Sequence, residues 1–421
     1  MCRIPTNRGA RDETKRKVRD ELFAEIKDII KTDCDMKDRN LKSGSSTTHC
    51  ESDKTIGTDL CSQLKKYEDE IKENLAFKYD DKLLGEIRDN IKCIKSAWKN
   101  YQEGNIEDAT KQIEKIIENY KDDDFFVSEL KITYGIKQVA GYGELKDENP
   151  DYSEMEQHTI TLYRGRISEE KLTDRKQMLH RPYKSDEKIL RQRFTCEGMP
   201  ALYLATTSYT CWLELGQPKE NFYVSAFEPD GNGEKLKILN LAITQDLANG
   251  ICMYGDNSDR RQEIERKIRS LMPLVYATSY KTQEQKEDKK EYIIPELVMR
   301  SLKKYKIDGI AYLSKHLDHD LQMQIGVNIV LPIDCDKNLS QGYGELTKYF
   351  KLTKPKLYEE NMVDQYKKYN GSSLVYDTNI KKEEDDQVTI NSKDHCKKYI
   401  NTTFAKFDNY LVNQELKYFD E

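Results

Sequence analysis

The sequence predicts an α+β protein, with a helical domain ahead of a domain that mixes strands and helices. Apolar residues recur at helical spacing between residues 59 and 150, whereas short alternating or fully apolar runs appear from residue 155 onward. The length of 421 residues favours more than one domain, and the 37% hydrophobic content suffices for a core. We therefore divide the chain into residues 1–58, 59–150, 155–345 and 346–421.

The first region, residues 1–58, is expected to be flexible. Lys, Asp, Ser and Thr dominate it, and one helix is possible over residues 19–31. Residues 40–54, NLKSGSSTTHCESDK, have the composition of a linker.

The second region, residues 59–150, is predicted to be a small helical domain. Trp98 and Tyr101 are interpreted as core anchors of this domain rather than as ligand contacts. We expect the domain to serve as a docking or regulatory module. Its three helical segments are LCSQLKKYEDEIKENL, LLGEIRDNIKCIKSAWKNY and DATKQIEKIIENY.

The third region, residues 155–345, carries the mixed pattern. A short helix over TTSYTCWLELG would place Glu214 on its last turn, after Thr and Ser residues suited to capping. The glycines of PDGNGEK are predicted to form a hairpin turn, and residues 346–421 to contain one terminal helix of unassigned role. The predicted strands are HTITLYRGRI, ALYLAT, NFYVSAFEP, KLKILNLA, DGIAYLS and GVNIVLPID, and the further helices DNSDRRQEIERKIRSLM and IPELVMRSLKKYK.

Composition argues against several classes of partner. The 69 basic and 75 acidic residues nearly balance, so no general nucleic-acid binding is expected. No apolar run approaches the roughly 20 residues that cross a bilayer, and the N-terminus lacks a secretory pattern, so we expect a cytoplasmic protein without membrane contact. The ten cysteines form no CxxC pair, and His316 and His319 have no third ligand nearby, so neither disulfides nor a metal site is predicted.

Candidate chemistry lies where predicted elements end. Ser314 follows a hydrophobic strand, a position from which a rigid scaffold can present a polar group to a cleft. An arginine, a tyrosine and a glutamate upstream are also placed at the end or edge of predicted elements. No GxGxxG motif follows a strand, so a Rossmann-type dinucleotide site is not predicted.

The blocks LYRGR, RFTCEGMPALYLATTSYTCWLE, YIIPELVMRSLKKYKIDGIAYLS and GVNIVLP occur in the order and approximate spacing of RES-domain proteins, which the chain resembles. The resemblance implies an ADP-ribosyltransferase-like fold with a split, bent β-sheet and a cleft for NAD. Many members of the family act as toxins that destroy NAD. Carried over residue by residue, the family positions fall on Arg164, Tyr203, Glu214 and Ser314 as catalytic residues.

Each residue type suits that chemistry. The Arg164 guanidinium fits a pyrophosphate or a ribose-phosphate oxygen, although Arg166, two residues on, could share this work or be the true ligand. Glu214 would stabilise the positive charge that develops on the ribose as nicotinamide leaves, although it could equally be a solvated helix carboxylate. Tyr203 would shape the nicotinamide pocket or simply fill the core. Ser314 would hydrogen-bond NAD or fix Glu214, with no covalent role.

Arg193 and Gly198 are further substrate-binding candidates, because they match a family loop that contacts ligand. Thr195 stands where the family often has an asparagine. The resemblance leaves open whether water, phosphate or a protein accepts the ADP-ribose. It implies NAD as a substrate, no cofactor, and an antitoxin or regulatory partner bound through the helical domain. An inactive RES module that only binds is the remaining alternative, and the oligomeric state is not predicted.

Overall fold

A nine-stranded mixed sheet organises the computed structural model of the chain. Most of Met1–Thr55 lies outside the described residues, and Ile56–Glu421 form one compact unit. The predicted helix over residues 19–31 therefore lies outside the described residues. The structure describes residues 52–74, 79–133, 135–136, 160–182, 191–195, 198–243, 259–280, 290–316, 325–333, 343–359, 379–381, 396–399 and 402–421.

Three helices precede the sheet, as predicted: α1 (Ser52–Glu73), α2 (Asp81–Gln102) and α3 (Ile106–Glu118). Helix α1 begins inside the stretch predicted as a linker, because it starts at Ser52. The Asp80 side chain caps α2 by accepting a hydrogen bond from the Leu83 N–H at 2.9 Å, which satisfies one free donor of the first turn. Trp98 is buried and lies edge-to-face with Tyr280, so its predicted core role is confirmed.

The sheet confirms the mixed α+β class. In order across the sheet, the strands are β1, β5, β6, β7, β3, β2, β4 and β8, and β9 pairs with β4. Only β5 and β6 pair in parallel; the other neighbours are antiparallel. The strands are β1 (Val127–Glu129), β2 (Leu162–Ile167), β3 (Ala201–Ala205), β4 (Phe222–Pro229), β5 (Lys237–Leu241), β6 (Gly309–Leu313), β7 (Val327–Pro332), β8 (Phe350–Leu352) and β9 (Lys356–Leu357).

Three more helices pack against the sheet: α4 (Ser208–Glu214), α5 (Asp259–Ser279) and α6 (Ile293–Tyr305). Helix α5 continues past Pro273, where the predicted segment ended, because the residues beyond the proline are buried in the core. The predicted hairpin at PDGNGEK is wrong, since β4 and β5 lie in different parts of the sheet and do not pair. No helix among the described residues is long and apolar enough to cross a membrane.

The helical segment shares its core with the rest of the unit. Strand β1, which was not predicted, follows α3 and pairs with β5. The Tyr67 hydroxyl donates to the Arg269 carbonyl at 2.9 Å, and the Asn90 amide donates to the Ser270 carbonyl at 2.6 Å. These bonds join α1 and α2 to α5 in the buried interior. The predicted boundary between residues 59–150 and 155–345 stays a prediction. The strand pairing and the buried hydrogen bonds join the residues on the two sides of it.

The C-terminal region supplies strands β8 and β9, the antiparallel pair β10 (Asn379–Lys381) and β11 (Cys396–Lys398), and helix α7 (Thr403–Val412). Helix α7 confirms the predicted terminal helix. The buried Asp408 of α7 accepts hydrogen bonds from the Ser208 N–H at 3.1 Å and from the Tyr399 hydroxyl at 2.7 Å. Burial raises the pKa of Asp408 to about 7. Helix α7 therefore supports the first residue of α4.

Gly165 allows α4 to pack closely on β2. A Cβ atom at this position would lie 2.6 Å from a ring carbon of Phe222, 3.0 Å from the Cβ of Cys211 and 3.1 Å from a methyl of Leu215. Distances this short require the neighbours to shift. The missing side chain thus sets how near the helix that ends at Glu214 lies to the strand that carries Arg164.

We expect Gly165→Ala to lower the free energy of unfolding by about 1–3 kcal/mol, because the added methyl overpacks the contact between α4 and β2. Gly85→Ala is the matched control, since the same methyl in the middle of α2 meets nothing within 4 Å. That variant should gain about 0.5–1 kcal/mol from lower unfolded-state entropy. Urea denaturation of both variants checks this, and equal effects of the two substitutions would contradict the packing argument.

Asp408 should make stability depend on pH. Its pKa is about 7 when folded and near the usual value of 3.8 when unfolded, so between these values the folded state holds a proton that the unfolded state has lost. The free energy of unfolding due to this group therefore falls as pH rises from about 4 to about 7. Asp408→Asn removes the titration, so its stability relative to the wild type should increase between pH 5 and pH 8 in urea titrations. A constant difference across this range would rule out the raised pKa.

Candidate functional site

A large cavity opens where two strands of the sheet separate. Strands β2 and β3 pair only at Tyr163 and Ala205, and beyond that point their backbones no longer form a ladder. The cavity has a volume of about 1380 Å³ and is lined by residues of both strands, of α4 and of the turns after β6 and before β3. Five of the seven predicted site residues line it: Arg164, Arg166, Arg193, Tyr203 and Glu214.

Arg164 bridges the separated strands. The sequence predicted Arg164 at a strand end, but it lies in the middle of β2. Its Nη1 donates to the Tyr203 carbonyl at 2.8 Å. Its buried Nε has no hydrogen-bond partner among the described residues. Burial, helped by the neighbouring charge of Arg166, lowers the pKa of Arg164 to about 10, so the group stays charged at neutral pH. Arg164 thus places a positive charge at the cavity wall, where it attracts anions.

Arg166 and His180 form the wall beside Arg164. Arg166 lies on the same face of β2, two residues on, and its Nη2 donates to the Leu179 carbonyl at 3.0 Å. His180 is buried; its Nδ1 donates to the Arg181 carbonyl at 2.7 Å, and its Nε2 accepts the Gly344 N–H at 3.3 Å. Burial lowers the pKa of His180 to about 4, so the ring is neutral and serves to join two segments of the wall.

Glu214 is the last residue of α4, as predicted. Thr207 caps this helix by accepting the Thr210 N–H at 3.1 Å. The Glu214 side chain is about one third exposed. Its Oε1 accepts a hydrogen bond from the Asn328 amide at 2.7 Å, and its Oε2 lies 3.8 Å from Nε2 of His316. The carboxylate is therefore held at one oxygen and open to the cavity at the other.

Tyr203 is anchored to the loop before β3. Its hydroxyl donates to the Arg193 carbonyl at 2.8 Å and lies 3.0 Å from the Thr195 hydroxyl. Thr195, at the position where the resembled family often has an asparagine, thus contacts Tyr203 and also lines the cavity. The buried Phe194 between them has a φ of 67°, a left-handed conformation that costs a non-glycine residue about 1–3 kcal/mol. The structure maintains this strain at the cavity wall.

The loop is also tied to the helical segment. The Arg191 guanidinium forms an ion pair with the buried Glu296 of α6 at 3.0 Å, and Glu296 also pairs with Arg300 at 2.9 Å. The Tyr101 hydroxyl of α2 lies 3.4 Å from both Arg191 and Glu296. Tyr101 packs half-buried against the hydrophobic core, as predicted, while its hydroxyl joins a polar network that ends at the cavity loop.

Ser314 and Gly198 do not line the cavity. Ser314 follows β6 and is buried; its N–H donates to the Gly326 carbonyl at 2.7 Å, and its hydroxyl accepts the His316 N–H at 3.3 Å. Gly198 is exposed, with a φ of 81°. Both residues shape turns whose neighbours, Lys315 and Met199, face the cavity.

Among the lining residues that were not predicted as site residues are Asn328, His316 and Tyr312. The sequence contained Asn328 as a polar residue inside an otherwise apolar strand, which was a usable signal. Tyr312 is buried against Phe194, and burial raises its pKa well above the usual value, with Glu214 adding to the rise. Its hydroxyl has no hydrogen-bond partner in the described part of the chain.

The charges of the cavity are unequal. Among the described residues, six arginine or lysine side chains line it against two carboxylates, Glu214 and Glu291. A concave surface with this excess attracts anions, and phosphate groups suit guanidinium donors best. The arrangement can therefore hold a phosphorylated ligand while presenting a carboxylate to it.

The comparisons with known proteins are sparse. No protein-family model and no solved structure matches the chain. The chain is 29% identical over 223 residues to the Bacillus subtilis (strain 168) protein named Putative toxin YopC. The matched region covers 51% of this chain and 49% of that relative, so the chain spans about half the length of the curated relative it matches.

Proposed function

We propose that the protein is a NAD-consuming enzyme of the RES type, which cleaves the bond between nicotinamide and ribose and acts as a toxin. The observation that carries the proposal is that Arg164 and Glu214 line one cavity, together with Arg166, Arg193 and Tyr203. The similarity to a protein named a toxin supports the biological role. The ADP-ribosyltransferase-like fold belongs to this proposal, and the separation of β2 from β3 is the feature that supports it.

In the proposed reaction Arg164 holds the diphosphate of NAD. Arg164 lines the cavity and stays charged at neutral pH, so its guanidinium attracts the diphosphate while Nη1 remains bonded to the Tyr203 carbonyl. Charge-assisted hydrogen bonds of this kind contribute about 1.5–3 kcal/mol each. Arg166 and the other cations add long-range attraction that weakens with salt.

Glu214 acts on the ribose. As the glycosidic bond breaks, positive charge develops on the ribose ring, and a carboxylate beside it stabilises that charge. The Asn328 amide holds Oε1 of Glu214, which fixes the direction of the carboxylate before the charge develops. Arg164 and Arg166 thus bind the diphosphate, whereas Glu214 stabilises the transition state.

A second candidate, a protein ADP-ribosyltransferase on the same core, is favoured by one observation. Ile167 and Leu215 are 48% and 36% exposed, and both line the cavity near Glu214. Exposed large apolar side chains at the mouth of a site suit contact with a polypeptide. A regulatory or antitoxin partner on the helical segment remains part of the proposal for the toxin role.

We expect purified wild-type protein to release nicotinamide from NAD, and Glu214→Gln to lower the rate by about 100-fold or more, because the amide cannot stabilise positive charge. Chromatography of free nicotinamide measures the rate. Glu220→Gln is the matched control, since Glu220 is an exposed carboxylate six residues on that does not line the cavity. If the wild type released no nicotinamide, the protein would be a binding module rather than an enzyme. Equal rates for Glu214→Gln and the wild type would exclude this cavity as the catalytic site.

The same assay with NAD labelled in the adenylate separates the acceptors. Label in soluble ADP-ribose supports hydrolysis, whereas label on a protein band supports the second candidate.

NAD binding should depend on Arg164. In a Glu214→Gln background, which prevents turnover, adding Arg164→Gln should weaken NAD binding by about 10- to 100-fold through loss of the guanidinium. Calorimetric titration gives both affinities, and circular dichroism checks that the second variant is folded. Unchanged affinity in a folded Arg164→Gln variant would remove Arg164 from the binding site.

A further inference from the structure

The turn after β6 places an imidazole at the cavity rim. Ser314 is 3% exposed, and its N–H bonds the Gly326 carbonyl, while its hydroxyl accepts the His316 N–H at 3.3 Å. These two bonds hold the three-residue turn against the strand. The His316 side chain is about half exposed and lines the cavity. The buried serine thus fixes the backbone position from which the imidazole extends.

The imidazole faces the free oxygen of Glu214. Asn328 occupies Oε1 at 2.7 Å, and the separation of 3.8 Å between Oε2 and the Nε2 of His316 is too long for a direct hydrogen bond. A polar gap of this length is a common place for a bridging water molecule. A water held there would contact both the carboxylate and the ring nitrogen.

We propose that His316 is the general base for the acceptor in the reaction proposed above, and that Ser314 is its positioning residue; this inference rests on the proposed function. The bond between the ribose carbon and the nicotinamide nitrogen breaks, and its electron pair leaves with nicotinamide. A water oxygen bonds to that carbon, and its proton passes to Nε2 of His316 and then to solvent. The products are nicotinamide, ADP-ribose and one proton.

A base at this position distinguishes between acceptors. Water is a weak nucleophile and gains from proton removal as it attacks, whereas inorganic phosphate at neutral pH already carries ionised oxygens and needs no base. The geometry therefore favours water over inorganic phosphate as the acceptor, and the label assay described above separates water from a protein acceptor.

The test uses full-length protein with NAD. His316→Ala should hydrolyse NAD about 100-fold or more slowly than the wild type, and added imidazole should restore part of the rate, because the half-exposed position leaves room for it. Ser314→Ala should lower kcat with little change in KM. Added imidazole should not restore the rate of this variant, because the His316 ring is still present. Wild type incubated with NAD and inorganic phosphate should yield ADP-ribose rather than its phosphate ester.

Three results would overturn the inference while leaving nicotinamide release intact. They are a His316→Ala rate within threefold of the wild type, a loss that imidazole does not restore, and a phosphate ester as the main product. Absence of nicotinamide release by the wild type would instead overturn the proposed function, and this inference with it.

Discussion

The bond from Arg164 to the Tyr203 carbonyl is the interaction on which the candidate site depends. Strands β2 and β3 pair at a single position, so the Tyr203 carbonyl on that side lacks the ladder partner that a continuous sheet would supply. A guanidinium supplies the missing hydrogen bond and leaves a second donor without a partner. The same residue therefore bridges the two separated strands and places a positive charge at the cavity wall.

Rigid support surrounds this gap. Helix α4 lies close to β2 because Gly165 has no side chain, and its first residue is bonded by Asp408 from the C-terminal helix. On the other side, the strained Phe194 and the Tyr203 hydroxyl fix the loop before β3. A carboxylate and an arginine from distant parts of the chain are thus kept in one cavity by buried packing rather than by surface ion pairs, which contribute little.

Much of the local structure could be predicted from the sequence, since helical spacing indicates α1 to α3 and capping threonines indicate α4. Arg164 and Glu214 could be singled out because they lie in the sequence blocks that resemble RES-domain proteins, and both line the cavity. The polarity of Asn328 inside an apolar strand was a usable signal, but its role and that of His316 depend on which strands become neighbours. No local pattern encodes the antiparallel pairing of β7 with both β3 and β6. Strand β1 was missed because three residues after a helix carry too little alternation to count. Ser314 was found, yet its hydroxyl bonds a turn instead of facing the cavity.

The network around Glu296 constrains how the chain can vary. One buried carboxylate is shared by Arg191 and Arg300 and lies beside the Tyr101 hydroxyl, so losing an arginine would leave charge poorly compensated in the interior. Substitutions at these positions are consequently coupled, and a neutral replacement at one favours neutral replacements at the others. Substitutions on the solvent face of the helical segment are therefore less constrained than those at Tyr101, Arg191 and Glu296, where a change in one residue requires changes in the others.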